Sequence, residues 1–256
     1  MQVHCAGPGG FRVLGLSGAQ GIGKSTLARR LITDAGQSGL RAGLLALDDY
    51  YLTKAARAEL ARSVHPLLAV RGPPGTHDIA RLARDIAALR GGQSVRVPRF
   101  DKSKDDRAPQ ADWFQLRGPL DVLLLEGWCV GARPQPAQQL LAPINELEAK
   151  EDGEGRWRGW VQGQLAGPYQ QVFGALDGLA FLAAPDFSCI PGWRLQQERA
   201  LPPGESVMQA AQIAHFIQHF ERITRWMLED MPSCADLTLR LDGARRLVSL
   251  QQNAPR

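Results

Sequence analysis

The sequence lacks any apolar run approaching the roughly 20 residues that a membrane-spanning helix requires. Its N-terminus also lacks the basic region and apolar stretch of a secretory signal peptide. Cysteine is scarce: the chain has 4 cysteines, and no two of them form a C-x-x-C pair. Isolated cysteines of this kind are typical of reduced thiols in a cytosolic protein. We therefore expect a cytoplasmic protein that does not bind a membrane.

Blocks of a single charge are missing as well. Lys and Arg number 30 against 26 Asp and Glu, which gives a formal net charge of +4, and the cations are scattered along the chain. This mild excess suits anionic small molecules, whereas a nucleic-acid-binding ATPase would need basic patches interleaved with aromatic residues. No repeat, linker or low-complexity tract divides the 256 residues. We predict a single domain over residues 11–250, a small-molecule substrate and no nucleic-acid partner; the oligomeric state stays open.

The stretch GAQGIGKST at residues 18–26 matches the phosphate-binding pattern G-x-x-x-x-G-K-[ST]. The apolar run Val13–Leu16 before it predicts a buried strand, and Ser25–Ile32 predicts the helix that follows. Glycines allow consecutive backbone N–H groups to curl around an anion, and the helix N-terminus adds partial positive charge. Lys24 would reach the β- and γ-phosphates, and the Ser25 hydroxyl would bind Mg²⁺. The alternative is an ordinary glycine-rich turn. The predicted nucleotide-binding residues are Gly18, Ala19, Gln20, Gly21, Ile22, Gly23, Lys24, Ser25 and Thr26.

Acidic residues follow two further apolar runs. Leu44–Leu47 predicts a second buried strand, which ends in Asp48 and Asp49. Open α/β sheets bind ligands at the carboxyl ends of their strands, where a phosphoryl acceptor would need a base. The acidic pair can also simply end the strand or cap a helix. Residues 121–127 predict another strand that closes on Glu126, the position of a Walker-B-type ligand for Mg²⁺ or its water.

Two segments offer cations for an anionic acceptor. Residues 71–78, RGPPGTHD, predict a rigid turn before a helix with an apolar stripe over residues 79–89. Either this turn merely caps the helix, or the helix N-terminus holds an anion. Residues 99–107 form a dense mixed-charge loop, which is either a solvated face or part of the acceptor site. The candidate acceptor-binding residues are Asp49, Tyr51, Arg71, His77, Asp78, Arg99, Lys102 and Arg107.

A polar helix predicted at residues 193–199, WRLQQER, is placed to act in a lid over residues 186–204. An arginine that closes over the transferred phosphoryl group stabilises developing charge and excludes water. The alternative is a surface arginine, and Arg194 is the preferred candidate over Arg199.

The order of the predicted elements indicates the fold class. The remaining elements are a short strand at 95–98, a helical region at 132–177, a buried strand at 178–184, a long helix from Val207 to Met231 that ends near Pro232, and a last strand at 235–241. Alternating strands and helices predict an α/β protein: a three-layer P-loop NTPase fold with a mainly parallel sheet and a helical lid.

Taken together, these motifs resemble the P-loop kinases of the phosphoribulokinase, uridine kinase and pantothenate kinase superfamily. More narrowly, they resemble the D-glycerate 3-kinase family and its bacterial relatives. The matching blocks are GAQGIGKST, LDDYYLT, RGPPGTHD, PRFDKSKDDR, LLLEGWCVG and WRLQQE, in family order across residues 11–242. The resemblance implies ATP and Mg²⁺ as cofactors, Asp48 as the catalytic base and a lid that carries Arg194. The loop at residues 102–107 is shorter than the glycine-containing loop of the glycerate kinases, which leaves a different acceptor open.

The predicted function is transfer of the ATP γ-phosphoryl group to a hydroxyl of a small anionic acceptor, with D-glycerate as the first choice. The predicted catalytic residues are Lys24, Asp48 and Arg194, and the predicted metal ligands are Ser25 and Glu126. A P-loop kinase for another small metabolite is the alternative. A regulatory GTPase-like switch is a weaker one, because SKDD at residues 103–106 nearly matches the guanine-reading motif [NT]KxD but precedes the Walker-B-like strand.

Overall fold

The computed structural model describes residues 10–199 and 208–254 of the chain. The end of the predicted lid segment, residues 200–204, and the predicted start of the long helix at Val207 lie outside the described residues. No helix within the described ranges is long and apolar enough to cross a membrane.

A six-stranded sheet forms the centre of the molecule. The strands are β1 Arg12–Gly18, β2 Ala42–Ala46, β3 Val95–Val97, β4 Phe100–Asp101, β5 Asp106–Arg107, β6 Phe114–Leu116, β7 Val122–Gly127, β8 Gly178–Ala183, β9 Leu237–Leu241 and β10 Leu247–Gln252. The large sheet has the order β10-β9-β8-β1-β7-β2. Its strands are parallel except β10, which pairs antiparallel with β9 at the edge. The predicted α/β fold with a mainly parallel sheet is confirmed.

Two small antiparallel ladders stand apart from this sheet, one between β3 and β6 and one between β4 and β5. Of these four ladder strands only β3 was predicted from the sequence, and β10 was not predicted either. The ladder strands are only two or three residues long, and every residue of β10 is exposed. A short or fully exposed strand shows no alternation of buried and polar residues from which it can be predicted.

Eight α-helices lie within the described ranges. They are α1 Lys24–Gln37, α2 Lys54–Ser63, α3 Ile79–Arg90, α4 Glu146–Glu151, α5 Arg156–Gln164, α6 Gln170–Phe173, α7 Cys189–Arg199 and α8 Ala210–Cys234. The predicted helical region 132–177 contains α4, α5, α6 and a π-helix, Leu165–Tyr169, between the last two, but its first part has only the short 3-10 helix Ala137–Leu140. Pro134, Pro136 and Pro143 cannot continue a helix there. α8 ends at Cys234, near Pro232 as predicted.

The large sheet lies between two apolar cores. In β7, Leu123 and Leu125 pack into one core, which side chains of α3, α5 and α8 complete. Leu124 packs into the other core together with Ala28 of α1 and Ile190 of α7. Successive strand side chains point to opposite faces of a sheet, so this alternation produces the three layers.

The topology places three strand ends side by side. β1 and β2 flank β7, with Ser17 paired to Gly127 and Ala46 paired to Glu126. The P-loop follows β1, Glu126 is the second-last residue of β7, and Asp48 lies two residues beyond β2. The carboxyl edge of the parallel sheet therefore gathers the predicted nucleotide and acceptor residues.

Candidate active site

The predicted P-loop joins β1 to α1 through glycines with positive φ. The φ angles of Gly18, Gly21 and Gly23 are +152°, +73° and +105°, a region that glycine adopts without steric cost. Gly23 directly precedes α1, so the unpaired N–H groups of the first helical turn lie beside the loop. Lys24 Nζ donates a hydrogen bond to the carbonyl oxygen of Ala19 at 2.9 Å. Burial lowers the pKa of Lys24, and the nearby carboxylate of Glu126 opposes that change.

A cleft of about 420 Å³ opens over this loop. The predicted nucleotide-binding residues that line it are Gln20, Gly21, Gly23, Lys24, Ser25 and Thr26. Of the others, Gly18 ends β1, whereas Ala19 and Ile22 are buried in the core. The predicted residues from other elements that line it are Asp48, Tyr51, Arg71, Lys102, Glu126 and Arg194. One cleft thus contains all three predicted catalytic residues and both predicted metal ligands.

The two predicted metal ligands contact each other across the floor of the cleft. Ser25 Oγ donates a hydrogen bond to Glu126 Oε1 at 2.7 Å, although the residues are 101 positions apart in the chain. A hydroxyl and a carboxylate are oxygen ligands of the kind that Mg²⁺ prefers, and Mg²⁺ usually takes its other ligands from water and substrate phosphates. Within residues 10–199 and 208–254, no group of three or more His, Cys, Asp or Glu side chains could hold a metal without such help. The pair therefore fits Mg²⁺ bound together with a nucleotide.

The two adjacent aspartates after β2 differ in environment. Burial alone would raise the pKa of Asp48, but Lys102, which donates to its Oδ2 at 2.7 Å, lowers it well below the ordinary value. Burial raises the pKa of Asp49, whose Oδ1 accepts a hydrogen bond from the backbone N–H of Phe100 at 3.2 Å. Asp48 lines the cleft and Asp49 does not. Asp48 is therefore the ionised member of the pair that faces the cleft.

A hydrogen bond from an aromatic residue, itself packed against other rings, holds the Asp48 carboxylate in place. The Tyr51 hydroxyl donates to Asp48 Oδ1 at 3.0 Å, and the Tyr51 ring stacks on His77 with centroids 4.6 Å apart. His77 Nδ1 lies 2.6 Å from the hydroxyl oxygen of Tyr169. Burial lowers the pKa of His77 to about 3, so this imidazole is neutral at pH 7. His77 thus supports Tyr51 and Asp48 without adding a charge.

Four predicted acceptor residues besides His77 do not line the cleft. Asp78 caps α3 by accepting a hydrogen bond from the Arg81 N–H at 3.1 Å, so this end of the RGPPGTHD turn has the helix-capping role that the sequence left open. Arg107 pairs with Asp78 at 3.4 Å and donates to the carbonyl of Tyr51 at 2.9 Å. The Arg99 side chain is exposed, and Asp49 is turned to the Phe100 backbone. Tyr51, Arg71 and Lys102 remain as the predicted acceptor residues that face the cleft.

The lid candidate lies on α7, which packs against the P-loop. A Cβ added to Gly21 would lie 2.8 Å from Trp193 Cβ, so only glycine permits this approach. Arg194 forms an ion pair with Glu198, donates to Gln197 Oε1 at 3.1 Å, and lines the cleft. Burial lowers the pKa of Arg194, and Glu198 opposes this effect. The guanidinium is thus held at the cleft by a partner on its own helix.

We expect Arg194→Lys to lower kcat at least about 10-fold while changing the Kd of ATP much less. Lysine keeps the charge but loses the planar fork that can contact two phosphate oxygens at once. Steady-state kinetics and ATP titration measure the two effects. Arg199→Lys is the matched control, because Arg199 ends the same helix, is exposed and does not line the cleft. Wild-type kinetics in Arg194→Lys would show that Arg194 has no part in catalysis despite its position at the cleft.

Several cleft residues were not among the predicted site residues. Phe216 and Phe220 come from α8, and Arg245 comes from the turn between β9 and β10. Arg245 has a φ of +64°, contacts Gln196, and lies with its guanidinium carbon 5.4 Å from the centroid of the Trp193 ring. No motif surrounds Arg245 in the sequence, so only the packing of β9 and β10 beside α7 brings it to the cleft.

Comparison with known proteins agrees with this geometry, although no family model matches the chain. An uncharacterized kinase of Schizosaccharomyces pombe is 34% identical over 224 residues, which cover 81% of this chain and 78% of the relative. The chloroplastic D-glycerate 3-kinase of Arabidopsis thaliana is 31% identical over 220 residues, which cover 81% of this chain but 46% of the plant protein.

A solved structure with the same fold carries a related name. The D-glycerate 3-kinase from Cryptococcus neoformans superposes with a TM-score of 0.78 at 26% identity, covering 94% of this chain and 89% of the fungal one. The similarity thus extends over nearly the whole chain. The chain belongs to the P-loop kinases of the phosphoribulokinase, uridine kinase and pantothenate kinase superfamily, in the group that includes the D-glycerate 3-kinases.

Proposed function

We propose that the protein transfers the γ-phosphoryl group of ATP to D-glycerate in the cytoplasm. The observation that carries this proposal is the presence of Asp48 and Arg71 in the same cleft as the P-loop. A hydroxy acid needs one group to orient its hydroxyl and a cation to pair with its carboxylate. Similarity to two proteins named D-glycerate 3-kinase supports the choice of this acid.

The nucleotide half of the cleft supplies charge and position. Backbone N–H groups of the P-loop and of the first turn of α1 bind phosphate oxygens, and the Lys24 ammonium pairs with the terminal phosphates. Ser25 and Glu126 would hold Mg²⁺, which would neutralise charge on the phosphate oxygens. Arg194 adds a second cation beside the transferred group. Phosphoryl transfer depends mainly on positioning and charge stabilisation, and these residues provide both.

Asp48 orients the acceptor hydroxyl toward the phosphate. Because Lys102 lowers the pKa of this carboxyl, Asp48 stays ionised and is a weak proton acceptor. The loose transition state of phosphoryl transfer makes a weak base sufficient, since little covalent chemistry is left to the protein. The Tyr51 hydroxyl occupies Asp48 Oδ1 and fixes the orientation of the carboxylate.

Arg71 supplies the subsite for the acceptor carboxylate. Of the four cations predicted there, Arg71 and Lys102 line the cleft, and Lys102 is paired with Asp48. Arg71 uses Nη1 to pair with Asp105, which leaves its other N–H donors for a ligand. A guanidinium can bind a carboxylate through two parallel hydrogen bonds, a geometry that a neutral sugar does not need.

An acceptor panel tests the proposal. Purified protein is incubated with Mg²⁺-ATP and, separately, D-glycerate, L-glycerate, uridine, pantothenate or ribulose 5-phosphate, and ADP release is followed. We expect D-glycerate to give a kcat/KM at or above about 10⁴ M⁻¹s⁻¹, the low end of ordinary enzymes, and to exceed the other acceptors. Robust turnover of a neutral nucleoside with none of glycerate would refute the acceptor and leave the kinase assignment intact.

The same assay separates the proposal from a GTP-dependent switch. In the SKDD segment, Asp105 is engaged by Arg57, and Asp106 accepts from the backbone N–H of Lys54 at 2.9 Å. Neither carboxylate is therefore free to read guanine. We expect ADP release to depend on the acceptor and ATP to be preferred over GTP.

A further inference from the structure

The short loop between β4 and β5 turns its last residue inward. Asp105 has a φ of +53°, a left-handed conformation that aspartate tolerates better than most residues. Its Oδ1 pairs with Arg71, and its Oδ2 accepts from Arg57 Nη2 at 2.7 Å. The Asp105 carbonyl accepts from the same Arg57 nitrogen at 2.8 Å. One carboxylate therefore bridges two guanidinium groups.

The two arginines differ in their access to the cleft. The Arg57 side chain is 0% exposed, and its guanidinium carbon lies 5.5 Å from the centroid of the Phe100 ring. The guanidinium carbon of Arg71 lies 5.6 Å from the centroid of the same Phe100 ring, but Arg71 lines the cleft. Arg57 is thus a buried charge that holds Asp105 in place, whereas Arg71 is the arginine that an acceptor in the cleft would contact.

The cluster of Arg57, Arg71 and Asp105 has unequal numbers of positive and negative charges. Arg57 and Arg71 contribute two positive charges and Asp105 one negative charge, which leaves a net charge of +1. The neighbouring cations are neutralised: Lys102 pairs with Asp48, and Arg107 pairs with Asp78.

Asp106, the residue next to Asp105, does not change this balance at the cleft. Its carboxylate accepts from the backbone N–H of Lys54, the first residue of α2. Asp106 also interacts with the buried Arg57, but the Lys54 side chain and the positive end of the helix dipole both offset its negative charge. The acceptor side of the cleft therefore presents one uncompensated positive charge, at Arg71.

We propose that Asp105 determines the acceptor charge: by bridging Arg57 and Arg71 it tunes the subsite to a monoanion, a single carboxylate. A neutral acceptor would leave Arg71 unpaired, and a dianion would place its second charge near Asp105 without a partner. Specificity arises as much from such mismatches as from favourable contacts. This inference rests on the proposed function and assigns the feature of the site that selects the substrate class.

Three acceptors with a hydroxymethyl group and different charges test it: D-glyceramide (neutral), D-glycerate (−1) and hydroxymethylmalonate (−2). We expect Asp105→Asn, which raises the cluster charge to +2, to lower the preference for glycerate over hydroxymethylmalonate at least about tenfold, mainly through KM. Arg71→Gln, which lowers the charge to 0, should lower the preference for glycerate over glyceramide by a similar factor. Asp112→Asn is the control, because it removes the same charge from an exposed side chain that does not line the cleft.

A double variant distinguishes charge from structure. Asp105→Asn leaves the buried Arg57 unpaired, which is destabilising, so thermal unfolding is measured in parallel. Arg57→Met combined with Asp105→Asn removes both buried charges, returns the cluster to +1, and should recover a glycerate preference within about threefold of wild type. A merely structural role of Asp105 would make the double variant no better than the single one.

Two results would overturn the inference. One is an unchanged charge preference in folded Asp105→Asn together with normal glycerate turnover by the wild-type chain. The other is a double variant that folds but keeps the altered preference. Absence of glycerate phosphorylation by the wild-type chain itself would instead overturn the proposed function.

Discussion

Replacing Lys24 with alanine should lower kcat at least about 10³-fold while the protein stays folded. The ammonium is the P-loop cation that pairs with the transferred phosphoryl group, and removal of such a group typically costs this much or more. In the structure Lys24 donates one hydrogen bond to the Ala19 carbonyl, so the folded state should lose no more than about 1.5–3 kcal/mol. Coupled ADP assays at saturating acceptor measure kcat, and thermal unfolding measures stability.

Arg30→Ala is the matched control for Lys24→Ala. Arg30 lies on α1 as well, but its side chain is 75% exposed and pairs with Asp34 four residues later. Removing an exposed pair of this kind changes stability by a few tenths of a kcal/mol, and kcat should stay within about twofold of wild type. A folded Lys24→Ala protein with unchanged kcat would contradict the assignment of the phosphate site.

Asp48→Asn should lower kcat at least about 10²-fold with little change in the affinity for ATP. The substitution keeps the size of the side chain and removes its charge, so it isolates the interaction with the acceptor hydroxyl. It also removes the ion pair that Lys102 forms with Asp48 at 2.7 Å in the wild-type chain. Since this carboxyl has a pKa far below neutrality, wild-type kcat should show no loss at mildly acid pH that arises from Asp48.

Asp49→Asn separates the roles of the two adjacent aspartates. Its amide oxygen can still accept the hydrogen bond from the Phe100 N–H, so the local fold is kept. We expect kcat within about threefold of wild type. If Asp49→Asn proves more damaging than Asp48→Asn, the acceptor hydroxyl is oriented by Asp49 and not by Asp48.

Sequence reasoning was most successful where a local pattern and the sheet topology agree. The glycines before Lys24 adopt positive φ in a loop, and the parallel strands that lead to Asp48 and Glu126 end at the same edge of the sheet. The RGPPGTHD turn was harder to interpret. A Cβ on Gly72 would lie 2.2 Å from the Phe220 ring and one on Gly75 would lie 2.3 Å from Trp160, so close packing also demands these glycines.

Residues that act through a distant partner could not be predicted. Arg107 and Asp78 are both charged residues in promising segments, but they neutralise each other outside the cleft. Arg57 lies in a helix with no motif, and its role depends on the conformation of Asp105, 48 positions later. A single sequence records which charges are present, and only the folded chain decides which of them pair.

Gly21 and Trp193 must be exchanged together when this kinase is recombined with a relative. The P-loop and α7 are separated by about 170 residues of chain, yet their backbones approach so closely that one added methyl group would collide. A chimera with a crossover between them would combine a P-loop from one parent with an α7 from the other, and the two backbones could then collide at this contact. The hairpin tip at residues 102–104 is exposed, and its Lys102 pairs with Asp48, so a graft confined to residues 99–108 would alter the acceptor side without separating Gly21 from Trp193.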